Sequence, residues 1–264
     1  MDALRPAAVA GMFYPGSPAS LAGDVRRLLA KASCTGARVP KALVVPHAGY
    51  VYSGGVAAAA YARLAGQAQA IRRVVLLGPA HRVAVRGLAV PDAAAFATPL
   101  GAVEVDRDAI RAVLALPQVR ISAAAHAAEH SLEVQLPFLQ ALLDDFRIVP
   151  LVVGAASADE VAAAIDLLWG GPETLVVIST DLSHYHAYDT ARAIDRGSAE
   201  RILALDPVLD HEQACGATPL NGLLVCARRR GLVPELLDLR NSGDTAGDRA
   251  RVVGYASFAF AEVH

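Results

Sequence analysis

No run in this sequence reaches the about 18 consecutive apolar residues that a membrane-spanning helix requires, although 54% of its 264 residues are apolar. The opening MDALRPAAVAGMFYPG lacks the basic start and apolar block of a secretory signal. An excess of one charge is missing too. Lys+Arg 24 nearly balances Asp+Glu 26 without a long basic run, which argues against nucleic acid as the main partner. Cysteine is scarce: Cys34, Cys215 and Cys226 cannot all pair within the chain and lie far apart. That usage fits a reducing cytoplasm, where a cysteine serves as buried filler or ligand rather than as a bridge. Internal repeats, low-complexity tails and linkers are also absent. The expectation is one domain over 1–264, long enough to bury a sizeable core.

What is present is an alternation of short apolar runs with helical patterns, which predicts an α/β fold: a central, mostly parallel sheet flanked by helices. Lys41 to Val45 reads as a buried strand that delivers His47 to its carboxyl end, followed by a turn with Gly49, Gly54 and Gly55. Arg73 to Leu77 reads as a second strand, ending in Gly78-Pro79-Ala80-His81. With an alanine-rich helix between them, the two read as neighbouring parallel strands of a βαβ unit, both imidazoles at one sheet edge. Thr174 to Ile178 is a third strand, and its loop, STDLSHY, carries Asp181 and His184. In an open α/β sheet the carboxyl edge is where ligands bind.

Two further segments carry chemistry. EHSLEVQLPFL has apolar residues spaced for one helical face, and His130 and Glu133, three apart, would share a side of that helix. A short helix is expected over Pro207 to Gln213. Beyond it, Cys215 precedes a helix N-terminus, a position that lowers a thiol pKa and favours the thiolate. His47, His81 and Cys215, with Asp181 and His184 nearby, have the chemistry of a metal site, since neutral imidazole and thiolate bind iron(II), copper or zinc. Singly, each has an ordinary structural explanation as a loop or core residue, because none sits in a close motif such as C-x-x-C.

PHAGYVYSGG, LGPAH, EHSLEVQLPFL, STDLSH and ACG, together with AGMFYP and VGYASFAF, occur in the order found in the Memo family. The resemblance covers nearly the whole chain. It implies the fold of class III extradiol ring-cleaving dioxygenases and a metal, iron(II) or copper with zinc as a further option, held by His47, His81 and Cys215. It places Asp181 and His184 in the pocket as catalytic candidates, His184 as general acid/base. His130 and Glu133 become pocket wall, and Tyr50 and Tyr52 potential lining. A thiolate stands where the dioxygenases use a carboxylate, which separates this site from ordinary ring cleavage. The expected function is a redox-active metalloprotein acting on a small aromatic or peptide, with a radical-SAM protein as a family-level partner. The alternative from another class is a binding module with a vestigial metal site that recognises a peptide or partner protein. A hydrolase using Ser179 or Ser183 with His184 and Asp181 is the weakest reading.

Overall fold

The computed structural model describes residues 3–32 and 38–263, so Cys34 lies outside the described residues. A short strand, β1 (Leu4–Arg5), leads through a turn around Gly11 into α1 (Pro18–Lys31). Ser17 caps α1 by accepting the Ser20 N–H, and Pro18 sits where no helical N–H is needed. Next come β2 (Pro40–Val45), α2 (Tyr50–Tyr61), β3 (Arg73–Pro79), β4 (Leu88–Val90), and the hairpin β5 (Ala95–Thr98) and β6 (Gly101–Glu104). Then follow α3 (Arg107–Val113), β7 (Val119–Ile121), α4 (Ala123–Ala127), α5 (Leu136–Leu142), β8 (Arg147–Val153), α6 (Ala158–Leu167) and β9 (Thr174–Ser179). The chain closes with β10 (His184–His186), α7 (Tyr188–Leu203), α8 (Ala217–Arg230), β11 (Val233–Asn241) and β12 (Val252–Ala261).

The main sheet runs β10-β12-β2-β9-β3-β8-β4-β7, with β11 also paired to β12. Its centre, β2, β9, β3 and β8, is parallel. These strands are the near-continuous apolar runs of the sequence, buried along almost their whole length, as parallel strands covered on both faces must be. Toward the edges the sheet turns antiparallel, β12 against β2 and β4 against β8, so it is mixed. A smaller sheet, β1-β5-β6, lies beside it. Helix α8 packs on α6 and over β3 and β9, whereas α2 packs over β2 and β12 beside α1 and α5. Among the described residues no helix is long and apolar enough to cross a membrane.

Three expectations need correction. Strands β2 and β3 are parallel but not neighbours, because β9 pairs with both; its buried TLVVIS run fills the place between them. The stretch from Glu129 is not one helix. Residues 129–132 are loop and turn, Glu133–Gln135 form a single 3-10 turn, and α5 starts only at Leu136 with Pro137 in its first turn. Residues 207–213 hold turns rather than a short helix.

Candidate metal centre

Because β2, β9 and β3 are parallel, the loops that follow them leave from one edge of the sheet. Val45 lies opposite Ser179, and Leu77 opposite Ile178. The first residues beyond those ends are therefore brought together: His47 after β2, His81 after β3, and Asp181 with His184 after β9. Cys215 joins them from the turn ahead of α8, and His130 from the loop ahead of α5. All six line one cavity of about 940 Å3.

His47 is buried. Its backbone N–H donates to Asp181 Oδ1 at 2.8 Å and its Nδ1 lies 3.0 Å from Ser179 Oγ. Ser179 has one proton, which it gives to the Ser131 carbonyl at 2.6 Å, while Gln135 Nε2 donates to it at 2.8 Å. The hydroxyl can thus only accept from His47, so Nδ1 carries the proton and Nε2 offers a lone pair. That nitrogen lies 3.4 Å from Cys215 Sγ and 3.9 Å from Asp181 Oδ2. His81 Nδ1 is 2.8 Å from Glu129 Oε1. His130 stacks on His81, ring centroids 4.7 Å apart and 20° from parallel. Its buried Nδ1 has no hydrogen-bond partner.

One ligand atom from each of His47, His81 and His130 lies within 4.8 Å of the other two. Burial, helped by neighbouring imidazoles, pushes His47 down to about 3 and His130 down to about 4, so both are neutral at physiological pH, the state that binds a metal. Burial alone would raise the Glu129 carboxyl, but the hydrogen bonds from His81 and Ser131 prevail and hold it at about 2. For Asp181 burial wins over the His47 N–H, and its pKa is raised. The residues therefore fit a cation: neutral nitrogens converge beside one buried carboxylate, and one imidazole nitrogen has nothing else to bind.

Of the site residues expected from sequence, the cavity brings together His47, His81, Cys215, His130, Asp181 and His184. Two do not belong there. Glu133 is wholly buried beneath the site, where it accepts from Arg5, the Ala8 and Val9 N–H groups and Tyr14 Oη. With no helix spanning 130–133, the two side chains diverge. Tyr50 points into the core and donates to the Val134 carbonyl at 2.8 Å; Tyr52 faces the cavity instead. The Cys215 thiol is pushed up to about 12, chiefly by burial and then by Asp181, so in the metal-free chain desolvation outweighs the helix N-terminus. Ser179 and Ser183 are buried, and Ser179 is committed to Ser131, so neither has the exposure a hydrolase nucleophile needs. Sequence reasoning passed over Glu129. No local spacing signals it, because the histidine it holds, His81, lies 48 residues earlier in the chain.

Fold and site define an α/β protein with a histidine cluster at the carboxyl edge of its parallel strands. A Memo-like protein family model matches residues 5–259, and the chain belongs to that family. It is 36% identical to a MEMO1 family protein of Methanothermobacter thermautotrophicus, covering 96% of this chain and 99% of that one. A MEMO1 family protein of Aquifex aeolicus is also 36% identical, over 97% of this chain and 99% of its own. A crystal structure of an uncharacterized protein from Escherichia coli K12 superposes with a TM-score of 0.53, covering 84% of this chain and 99% of that one. At 16% identity it shows the fold alone.

Proposed function

We propose that the cavity holds a single non-haem metal, iron(II) or copper, with zinc as a further option, and that the protein is a cytoplasmic oxidoreductase acting on a small aromatic or peptide substrate. The observation that carries this reading is the convergence of three imidazoles, two of them held neutral by burial, around one point. His47, His81 and His130 would hold the metal, with the Cys215 sulfur close enough to His47 to join or replace one of them. Any of these metals would supply a Lewis-acidic centre, and iron or copper, unlike zinc, would add redox capacity. The chain's own residues do the rest. His184 Nδ1 lies 2.8 Å from the Leu182 carbonyl, which can only accept. Nδ1 therefore carries the proton, and Nε2 is left to take one from a substrate hydroxyl. Phe13 and Tyr52 line the cavity with aromatic surface. A radical-SAM protein is the partner that family resemblance supports.

One observation favours a second reading. Met12, Val51 and Tyr185 stand exposed around the cavity mouth, a rim suited to gripping a peptide without turnover. Metal analysis of protein purified without oxygen tests the first reading. Near-stoichiometric iron or copper is expected in the wild type, with loss in His47→Ala and His81→Ala and partial retention in His130→Ala and Cys215→Ser. Wild type that stays empty after anaerobic reconstitution overturns it. Loaded protein that consumes no oxygen with a broad catechol panel supports the peptide-gripping reading.

A further inference from the structure

We propose that Glu129 is the positioning residue that decides which nitrogen His81 presents to the metal; this inference rests on the metal-binding reading above. Glu129 is buried and both its oxygens are engaged. Oε2 accepts the His81 backbone N–H at 2.6 Å, and Oε1 accepts the Ser131 N–H at 2.9 Å while lying 2.8 Å from His81 Nδ1. A carboxylate has no proton to give, so the contact to the ring exists only when Nδ1 is protonated, and the lone pair is then on Nε2. The same carboxylate clasps backbone and ring of one residue, so it fixes the position of His81 and its tautomer together.

The geometry also explains why His130 is left unpartnered. Its Nδ1 lies 3.5 Å from the same Oε1, beyond hydrogen-bonding reach of an oxygen already engaged twice. Two of the three imidazoles are therefore fixed before any metal arrives, His47 by Ser179 and His81 by Glu129. His130 is free to offer either nitrogen.

Glu129→Gln separates this role from a merely structural one. An amide has one accepting oxygen and one donating nitrogen in place of two acceptors. Its nitrogen must then face a donor: the His81 N–H in place of Oε2, or the Ser131 N–H and the protonated ring in place of Oε1. Anaerobic Co(II) titration followed by the ligand-field bands should show affinity about 10–100-fold below wild type. 15N NMR of the metal-free protein should show His81 with Nδ1 protonated in the wild type and a mixture of tautomers in Glu129→Gln. The wild-type spectrum needs neither a folded variant nor bound metal. An Nε2-protonated His81 there overturns the inference even if metal binds. Where the wild type binds no metal, Nδ1 protonation that gives way to a mixture in Glu129→Gln upholds the tautomer control on its own. Where the wild type binds Co(II), unchanged affinity in a folded Glu129→Gln overturns the inference.

Discussion

Glu129 and Glu133 are four residues apart, both buried, and each is the hub of a polar cluster, yet the clusters differ in what they leave over. Around Glu133 the carboxylate and the guanidinium facing it are both answered: Arg5 also donates to the His126 and Glu129 carbonyls, and Tyr14 and two backbone N–H groups complete the carboxylate. Around Glu129 the carboxylate is complete but the imidazoles it faces are not. His130 has an orphan nitrogen, His81 turns a lone pair toward the cavity, and the His47 lone pair meets only the Cys215 sulfur, 3.4 Å away. Buried polar groups are almost always paired, so a complete cluster is architecture and an incomplete one is a request for a ligand. The contrast teaches that burial and charge do not identify a site; open valences that converge on a cavity do.

The largest expected effect tests the complete cluster. Glu133→Ala strands the Arg5 guanidinium in the interior and should cost about 3–5 kcal/mol in urea unfolding, while the pair Arg5→Met with Glu133→Leu should recover much of that loss. The N-terminal turn that this carboxylate holds carries Phe13 against His130, ring centroids 4.8 Å apart, so metal affinity should fall as well. A loss below about 1 kcal/mol would mean that the contrast is mistaken and that Glu133 belongs to the site.

How much of this was legible beforehand follows the same division. β2, β3 and β9 were readable because a strand buried on both faces must be apolar throughout. The histidines beyond them were readable as an edge cluster for that reason. Strand order was not, since β9 reaches its place between β2 and β3 through pairings 134 and 101 residues away in sequence. His130 and Glu133 were assigned one helical face, but Pro137 and the 3-10 turn begin the regular helix too late for that spacing to apply. Tyr50 was indistinguishable from Tyr52 by composition; the start of α2 at Tyr50 sends one inward and the other to the cavity. The depressed thiol expected at Cys215 failed because sequence shows a helix start but not the depth at which it lies.

Filling the open valences should come next in size. At a free metal concentration about 100 times its dissociation constant, loading should stabilise the fold by about 2.7 kcal/mol, read as a rise in Tm that a chelator reverses. His47→Ala should erase that increment. Glu133→Gln, if it folds, should keep it in reduced form. An equal increment in wild type and His47→Ala would place the metal elsewhere.

Acid sharpens the comparison at smaller scale. Burial depresses His126, whose carbonyl accepts from Arg5 at the edge of the Glu133 cluster, to about 4, alongside His47 at about 3 and His130 at about 4. Unfolded, each titrates near about 6.5. The unfolded chain therefore binds protons first. In the metal-free protein stability is whole above about pH 6.5 and falls as pH drops toward 4, by about 1.4 kcal/mol per unit for each histidine. Asp181, with its raised pKa, works the other way, since the folded state takes up that proton first. His126→Gln, whose amide can still donate to the Ala89 carbonyl in place of Nε2, should remove one proton's worth of slope from urea midpoints between pH 7 and 4.5. No change in slope would show that His126 takes up its proton over the same pH range in both states, so that burial does not depress it.

Tyr185 tests the rim, where the expected stability change is smallest. Its φ of +62° is left-handed, a conformation costly for a bulky side chain, yet its ring is 64% exposed beneath the Arg251 guanidinium, 5.2 Å away. In Tyr185→Gly, relief of about 1–2 kcal/mol of backbone strain is set against about 0.5–1 kcal/mol of added unfolded-chain entropy and a similar loss of the exposed cation–π contact. The melting curve should therefore move by no more than about 1 kcal/mol in either direction. Binding of 4-nitrocatechol to metal-loaded protein should weaken by more than that, because an exposed ring held in a strained conformation at the mouth of the cavity contributes contact to a ligand rather than packing to the fold. A loss of stability above about 2 kcal/mol would put Tyr185 with the complete cluster, as architecture, and leave the open valences as the whole of the site.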